Sequence, residues 1–155
     1  MGIYILIILF FSIVGGAFLF GSKIGRNPDK YLKSHAVMIK VFLLAYIVFT
    51  GCWVFPIRSE QFPFDFTKGY LLIASYGVIG LAFAKIYGRD KKKLIYVLTL
   101  LLTIIGMIGR YLLEYGEFSN TYNFTLINIV SYIILIPVFT VLAYSLSLES
   151  FMKRK

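Results

Sequence analysis

Residues 23–40 read KIGRNPDKYLKSHAVMIK, and this stretch decides how the rest of the chain is arranged. It is the first strongly charged run in the sequence, and it follows a long apolar segment. Against one acid, Asp29, it carries five basic residues: Lys23, Arg26, Lys30, Lys33 and Lys40. In a membrane protein a short basic loop stays on the cytoplasmic side and orients the segments on either side of it. We therefore expect this stretch to be a cytoplasmic loop.

The composition indicates a membrane protein. The chain has 155 residues, of which 59% are hydrophobic and only 15% are charged, and its mean hydropathy is +0.83. A soluble domain would be roughly 45–50% apolar, with about a quarter of its residues charged. The few charges are clustered between apolar runs, which is typical of a polytopic protein. The expected fold class is all-α, with residues 1–155 forming a single transmembrane domain of five helices.

Five apolar segments are long enough to cross a hydrocarbon core of about 30 Å. They are residues 2–20, 36–55, 69–87, 94–113 and 124–148. No basic residue precedes the first segment and its apolar part is too long for a secretory signal, so we interpret it as a retained helix. Pro56 and Pro63 interrupt the helical pattern after the second segment, which predicts a loop there.

The distribution of basic residues predicts the orientation of the helices. Of the sixteen Lys and Arg residues, all but Arg58, Lys68 and Arg110 fall in residues 23–40, in residues 85–93 or in the C-terminal tail. These three regions would be cytoplasmic, so the N-terminus is expected outside and the C-terminus inside.

The net charge of +9 could suggest nucleic acid, but retention at the membrane accounts for the basic clusters. The expected partners are instead the lipid bilayer and, on the cytoplasmic side, anionic lipid head groups. The abundance of Lys, Ile, Tyr and Phe is compatible with a bacterial plasma membrane, which is the expected location.

Small residues recur every fourth position in two segments, a spacing that favours close packing of helices in lipid. These two stripes are Ala17, Gly21 and Gly25, and Gly80, Ala84 and Gly88. Both lie in the inner halves of segments that run in the same direction, so they could meet in a parallel crossing. The alternative is that Gly25 and Gly88 simply mark helix ends.

Pro137 lies inside the last segment, where it leaves the carbonyl of Ile133 without its usual backbone donor. A kink is expected there, either as a purely structural feature or as a hinge for gating.

Polar residues near the predicted outer ends form the one candidate site. Arg110 and Glu114 are four residues apart and share a helix face. Arg110 could be a structural anchor, or it could hold a lipid phosphate or a carboxylate. Asn128 could bond to a neighbouring helix. Together with Phe62 and Phe64 from the preceding outer loop, these residues could line a ligand-binding pocket.

No catalytic or metal-binding constellation is apparent. The single histidine, His35, and the single cysteine, Cys52, are separated by about 25 Å along a helix, which excludes a nucleophilic pair. Neither zinc nor haem would find enough ligands, so no cofactor and no metal site are expected. Acid–base chemistry by Glu114 or Glu117 remains conceivable, although the sequence favours a protein that is not an enzyme.

Three functions stay open. The favoured one is a non-catalytic subunit or binding module that joins a larger membrane complex or recognises a lipid, peptide or small molecule at its outer face. The second is a small transporter or channel that acts as a homo-oligomer. The third is a lipid-modifying enzyme that uses its outer carboxylates. The sequence carries no motif that would choose among them.

Overall fold

The computed structural model describes residues 34–57 and 65–152, and within these ranges the chain forms helices and connecting loops without any strand. The helices are α1 (Ala36–Trp53), α2 (Phe66–Tyr87), α3 (Lys92–Leu113), the short α4 (Phe118–Asn123) and α5 (Leu126–Met152). By their internal contacts the residues divide into two compact units, Met1–Lys40 and Val41–Lys155. The packing contacts that follow all lie within the second unit.

Within residues 34–57 and 65–152, four helices are long and apolar enough to cross a membrane: α1, α2, α3 and α5, with 18, 22, 22 and 27 residues. They correspond to four of the five predicted segments, and their ends differ from the prediction by no more than four residues. The predicted helix over 2–20 lies outside the described residues. The length and composition of these helices indicate an integral membrane protein.

Two local features were not predicted. The Asp65 carboxylate accepts hydrogen bonds from the backbone N–H groups of Thr67 (2.9 Å) and Lys68 (3.1 Å), and this N-cap starts α2 at Phe66, before the apolar run begins. The stretch read as an outer loop also contains α4, a helix of six residues without a long apolar face.

Large apolar side chains cover the outside of the helices, while hydroxyl groups lie inside. Val37, Tyr70 and Leu126, for example, are 75%, 73% and 77% exposed. The largest fully buried side chains are Tyr76, Tyr132 and Tyr144. This distribution suits a membrane, where apolar side chains face the lipid and polar groups form hydrogen bonds within the protein.

Glycines allow two pairs of helices to approach closely. A Cβ atom added to Gly80 of α2 would lie 2.6 Å from the Cβ of Ala143, 2.7 Å from the Tyr144 nitrogen and 2.9 Å from the Thr140 oxygen, all in α5. In the same way Gly51 of α1 faces Gly106 of α3, because a Cβ on Gly51 would lie 3.1 Å from the Cα of Gly106. Backbones in contact are typical of helix crossings in membranes.

The predicted stripe on α2 is thus covered in part by α5. Gly80 lies at the crossing with α5 and Ala84 is buried, whereas Gly88 adopts a φ of +67° as the C-cap of α2. Ala17, Gly21 and Gly25, which were expected to lie opposite, are outside the described residues. A contact between the two stripes stays a prediction.

The turn that joins α2 to α3 is held by one side chain of α5. The hydroxyl of Tyr144 donates to the carbonyl of Gly88 and accepts from the backbone N–H of Lys91 at 3.3 Å. Tyr144 itself is fully buried. The turn also contains Asp90 with a φ of +63°, a left-handed conformation that non-glycine residues seldom adopt. Tyr144 therefore fixes the basic end of α3 to α5.

Pro137 is buried within α5, and the helix continues on both sides of it. Three residues later the Thr140 hydroxyl donates to the carbonyl of Ile136 at 2.8 Å. The kink expected at Pro137 stays a prediction.

Candidate functional site

Arg110 joins the C-terminal ends of α1 and α3. Its Nη1 donates to the carbonyl oxygens of Cys52 (3.3 Å) and Trp53 (3.4 Å), the last residues of α1. The final carbonyls of a helix have no partner within it, and a positive charge beside them is favoured by the helix dipole. Arg110 therefore acts as a cap for a neighbouring helix.

Glu114 extends this arrangement towards α4 and α5. One of its carboxylate oxygens accepts from Nη2 of Arg110 at 2.6 Å, and the other accepts from Nδ2 of Asn123 at 3.1 Å. The side chain of Asn128 in turn donates to the carbonyls of Tyr122 (3.3 Å) and Asn123 (3.0 Å). A chain of polar contacts thus links the ends of α1, α3, α4 and α5. We call this end of the protein the Arg110 end.

Three of the five residues predicted for the outer pocket therefore lie at one end of the protein. The contacts of Arg110, Glu114 and Asn128 are those of structural anchors, since both terminal nitrogens of Arg110 already donate within the chain. Its Nε is buried without a partner in the part of the chain that the structure describes. Phe62 and Phe64 lie outside the described residues. Anion binding at Arg110 stays a prediction.

An open cleft of about 650 Å³ lies beside these anchors. We call it the aromatic cleft, because four of its eight lining residues carry aromatic rings. The lining residues are Tyr111, Tyr115, Gly116, Glu117, Phe118, Asn120, Thr121 and Phe124. Its rings pack against one another: Tyr111 meets Tyr115 edge to face at 6.0 Å and Phe124 at 5.2 Å between centroids. The end of α3 and its connection to α5 thus line a cleft that is large enough to hold a ligand.

Two polar side chains of this lining have unused acceptor oxygens. Asn120 is only 8% exposed, and although its Nδ2 donates to the Tyr111 carbonyl at 3.3 Å, its Oδ1 is buried without a partner. The Glu117 carboxylate accepts one hydrogen bond, from Ser119 at 3.2 Å. No basic side chain among the described residues forms an ion pair with Glu117. The cleft therefore offers hydrogen-bond acceptors and one negative charge.

An apolar groove of about 250 Å³ borders the aromatic cleft. It is lined by residues of α3 and α5 and by Phe124, and it shares Tyr111 and Phe124 with the cleft. The other lining residues are Ile104, Met107, Ile108, Ile129 and Ile133. From Tyr111 to Ile104 is seven residues of helix, so the groove extends about 10 Å along the helices. The cleft and the groove thus adjoin at Tyr111 and Phe124.

A cluster of hydroxyl groups lies between α1, α2 and α5. The Thr50 hydroxyl donates to the Ile47 carbonyl at 3.0 Å, so at 2.6 Å it accepts the proton of the Tyr76 hydroxyl. The Tyr132 hydroxyl donates to the Thr50 carbonyl at 3.0 Å. These hydroxyl groups were not predicted from the sequence, where charged residues and Asn indicated the polar sites. The signal that could have found them is the recurrence of Tyr and Thr within apolar segments.

The described residues contain no group of three His, Cys, Asp or Glu side chains that could hold a metal ion. The carboxylates of Glu114 and Glu117, which both lie at the Arg110 end, have different roles. Glu114 is bound to Arg110 and Asn123, while Glu117 lines the aromatic cleft. The arrangement can bind a ligand by charge, hydrogen bonds and apolar contact.

No protein-family model matches the chain, and comparison with curated proteins and with solved structures finds none that is similar to it.

Proposed function

We propose that this chain is a small, non-catalytic membrane protein that binds one lipid molecule at its Arg110 end. The observation that carries the proposal is the shared wall of Tyr111 and Phe124, which joins the aromatic cleft to the apolar groove. A lipid has the same two parts, a polar head group and an apolar chain. A ligand that is wholly polar or wholly apolar would fill only one of the two cavities.

The depth of the two cavities also fits a lipid. A helix of 22 residues is about 33 Å long, slightly more than the hydrocarbon core of about 30 Å. The cleft lies beyond the C-terminal end of α3 and would therefore be level with the head groups. The groove lies one to two turns deeper, at the level of the acyl chains. Exposed Tyr and Phe side chains around the cleft suit this interface.

In this proposal the Arg110 end faces the outside and the basic turn from Gly88 to Lys91 faces the cytoplasm. The support is the charge distribution, since Arg89, Lys91, Lys92 and Lys93 follow α2 directly. The proposed arrangement has five transmembrane helices with the N-terminus outside, in a bacterial plasma membrane. A protein partner or a second copy of the chain could then be recruited through the bound lipid.

The test uses two isoleucines of α3 that are equally exposed. Ile108 lines the groove and is 53% exposed, whereas Ile105 is 52% exposed and does not line it. Ile108→Trp should partly fill the groove and weaken lipid binding about tenfold, which corresponds to about 1.4 kcal/mol. Ile105→Trp, the matched control, should bind as the unchanged protein does. Native mass spectrometry of the purified full-length protein, titrated with a phospholipid, measures both.

Equal affinity of the two variants would overturn the proposed site, and so would the absence of a saturable single-lipid complex. Two further measurements distinguish lipid binding from the alternative functions. Flux of ions through the purified protein in liposomes would favour a transporter or channel. Chemical turnover of the bound lipid that is lost in Glu117→Gln would favour an enzyme.

A further inference from the structure

We infer that the lipid head group bound in the aromatic cleft carries a primary ammonium, as an ethanolamine phospholipid does. This inference rests on the proposed function and adds the chemical class of the ligand to it. Three features of the cleft carry it: a carboxylate without an ion pair and a buried acceptor without a donor, both judged among the described residues, and a wall of aromatic rings.

The first feature is the charge of the cleft. Among the described residues that line it, Glu117 is the one charged residue and none is basic. The nearest cation along α3 is Arg110, which is engaged by Glu114 at 2.6 Å and by the carbonyl of Cys52. The net charge presented to a ligand is therefore negative. A cationic group is attracted by that charge, and an anionic head group is repelled.

The second feature is the missing donor at Asn120. Its Oδ1 is buried without a partner, although its Nδ2 is already bound to the Tyr111 carbonyl. A buried acceptor that stays unpaired is costly, so a ligand that supplies an N–H group gains from completing this bond. A primary ammonium has three such donors, one for Asn120 and one for Glu117. A quaternary ammonium, as in choline, has none.

The third feature is the aromatic wall formed by Tyr111, Tyr115, Phe118 and Phe124. The face of an aromatic ring attracts a cation, and the attraction grows when the site is shielded from water. This feature alone would suit choline and ethanolamine equally. The acceptors at Glu117 and Asn120 are what favour ethanolamine.

The test compares three phospholipids with identical acyl chains and with ethanolamine, choline or glycerol head groups. Each is titrated against the purified full-length protein in detergent, and native mass spectrometry measures the fraction with one lipid bound. The ethanolamine lipid should bind about tenfold more tightly than either of the others, since its ammonium can donate to Glu117 and Asn120, whereas choline has no N–H donor and the glycerol lipid is anionic. In Glu117→Gln this preference should fall to within about twofold.

Glu117→Gln is a mild change for the fold. Glu117 is the N-cap of α4, but its side chain makes no capping hydrogen bond, and a Gln oxygen can still accept from Ser119. The matched control is Glu149→Gln, an exposed carboxylate in the last two turns of α5 and far along the chain from the cleft. It should keep the preference of the unchanged protein.

The outcomes distinguish this inference from the proposed function. If no lipid forms a saturable complex, the proposed function fails and the inference fails with it. If the choline or glycerol lipid binds as tightly as the ethanolamine lipid, the site stands and the inference is overturned. An ethanolamine preference that survives Glu117→Gln unchanged would overturn it as well.

Discussion

Replacing Gly80 by Ala tests the close crossing of α2 and α5. The added methyl carbon would lie 2.6 Å from the Cβ of Ala143 and 2.7 Å from the backbone nitrogen of Tyr144. Carbon atoms normally pack at about 3.5–4.0 Å, so α2 and α5 must move apart by about 1 Å. Because the Tyr144 nitrogen and the Thr140 oxygen belong to the backbone, no change of rotamer relieves the overlap. Overpacking of this kind costs about 1–3 kcal/mol.

The matched control is Gly77→Ala in the same helix. A Cβ at Gly77 has no atom within 4 Å, so it gains the helix propensity of Ala without any overlap. Since both substitutions gain that propensity, about 0.8–1.0 kcal/mol, the difference between them isolates the contact with α5. The free energy of unfolding of Gly80→Ala should be lower than that of Gly77→Ala by about 1–3 kcal/mol.

The assay is equilibrium unfolding in mixed micelles, where a denaturing detergent is titrated into the protein and helix content is followed by circular dichroism. Trp53, the sole tryptophan, supplies a second signal from the end of α1. Coincident unfolding curves for the two variants would refute the close crossing of α2 and α5. A loss of stability in Gly77→Ala as large as that in Gly80→Ala would refute it too, because it would show a general effect of removing glycine from α2.

Two further predictions concern the buried hydroxyl groups and the orientation. Tyr76→Phe removes the hydroxyl group that donates a hydrogen bond to α1, so it should lower the free energy of unfolding by about 0.6–1.7 kcal/mol. Tyr70→Phe, at an exposed position of the same helix, should leave that free energy unchanged in the same micelle assay. Equal effects would contradict the role given to the buried cluster. In a Cys52→Ser background, Ser119→Cys should react with a membrane-impermeant maleimide added to intact cells and Lys92→Cys should not; the reverse pattern would invert the proposed topology.

The membrane-spanning helices could be predicted from the sequence because each corresponds to a long apolar run. Apolar runs of about twenty residues and clusters of basic residues located α1, α2, α3 and α5 to within four residues at each end. At the start of α2, a cap rather than hydropathy sets the end of the helix. Asp65 starts α2 early, and its contacts with Thr67 and Lys68 depend on backbone geometry that hydropathy does not report.

The candidate site could be predicted only in part. The spacing of Arg110 and Glu114 indicated that they share a face, but it could not show that Arg110 also caps α1. The aromatic cleft was missed because it is built by α4, whose six residues are too few for a periodic apolar pattern. The spacing of Gly80 likewise indicated a contact surface without identifying α5 as the helix that covers it.

Pro137 lies between two contacts that α5 makes with its neighbours. Ile129 and Ile133, before it, line the groove with α3, whereas Thr140 and Ala143, after it, lie against Gly80 of α2. The backbone hydrogen bond that proline lacks is located between these contacts, where a helix bends most easily. A bend at Pro137 would therefore alter the groove between α3 and α5 without separating α5 from Gly80 of α2.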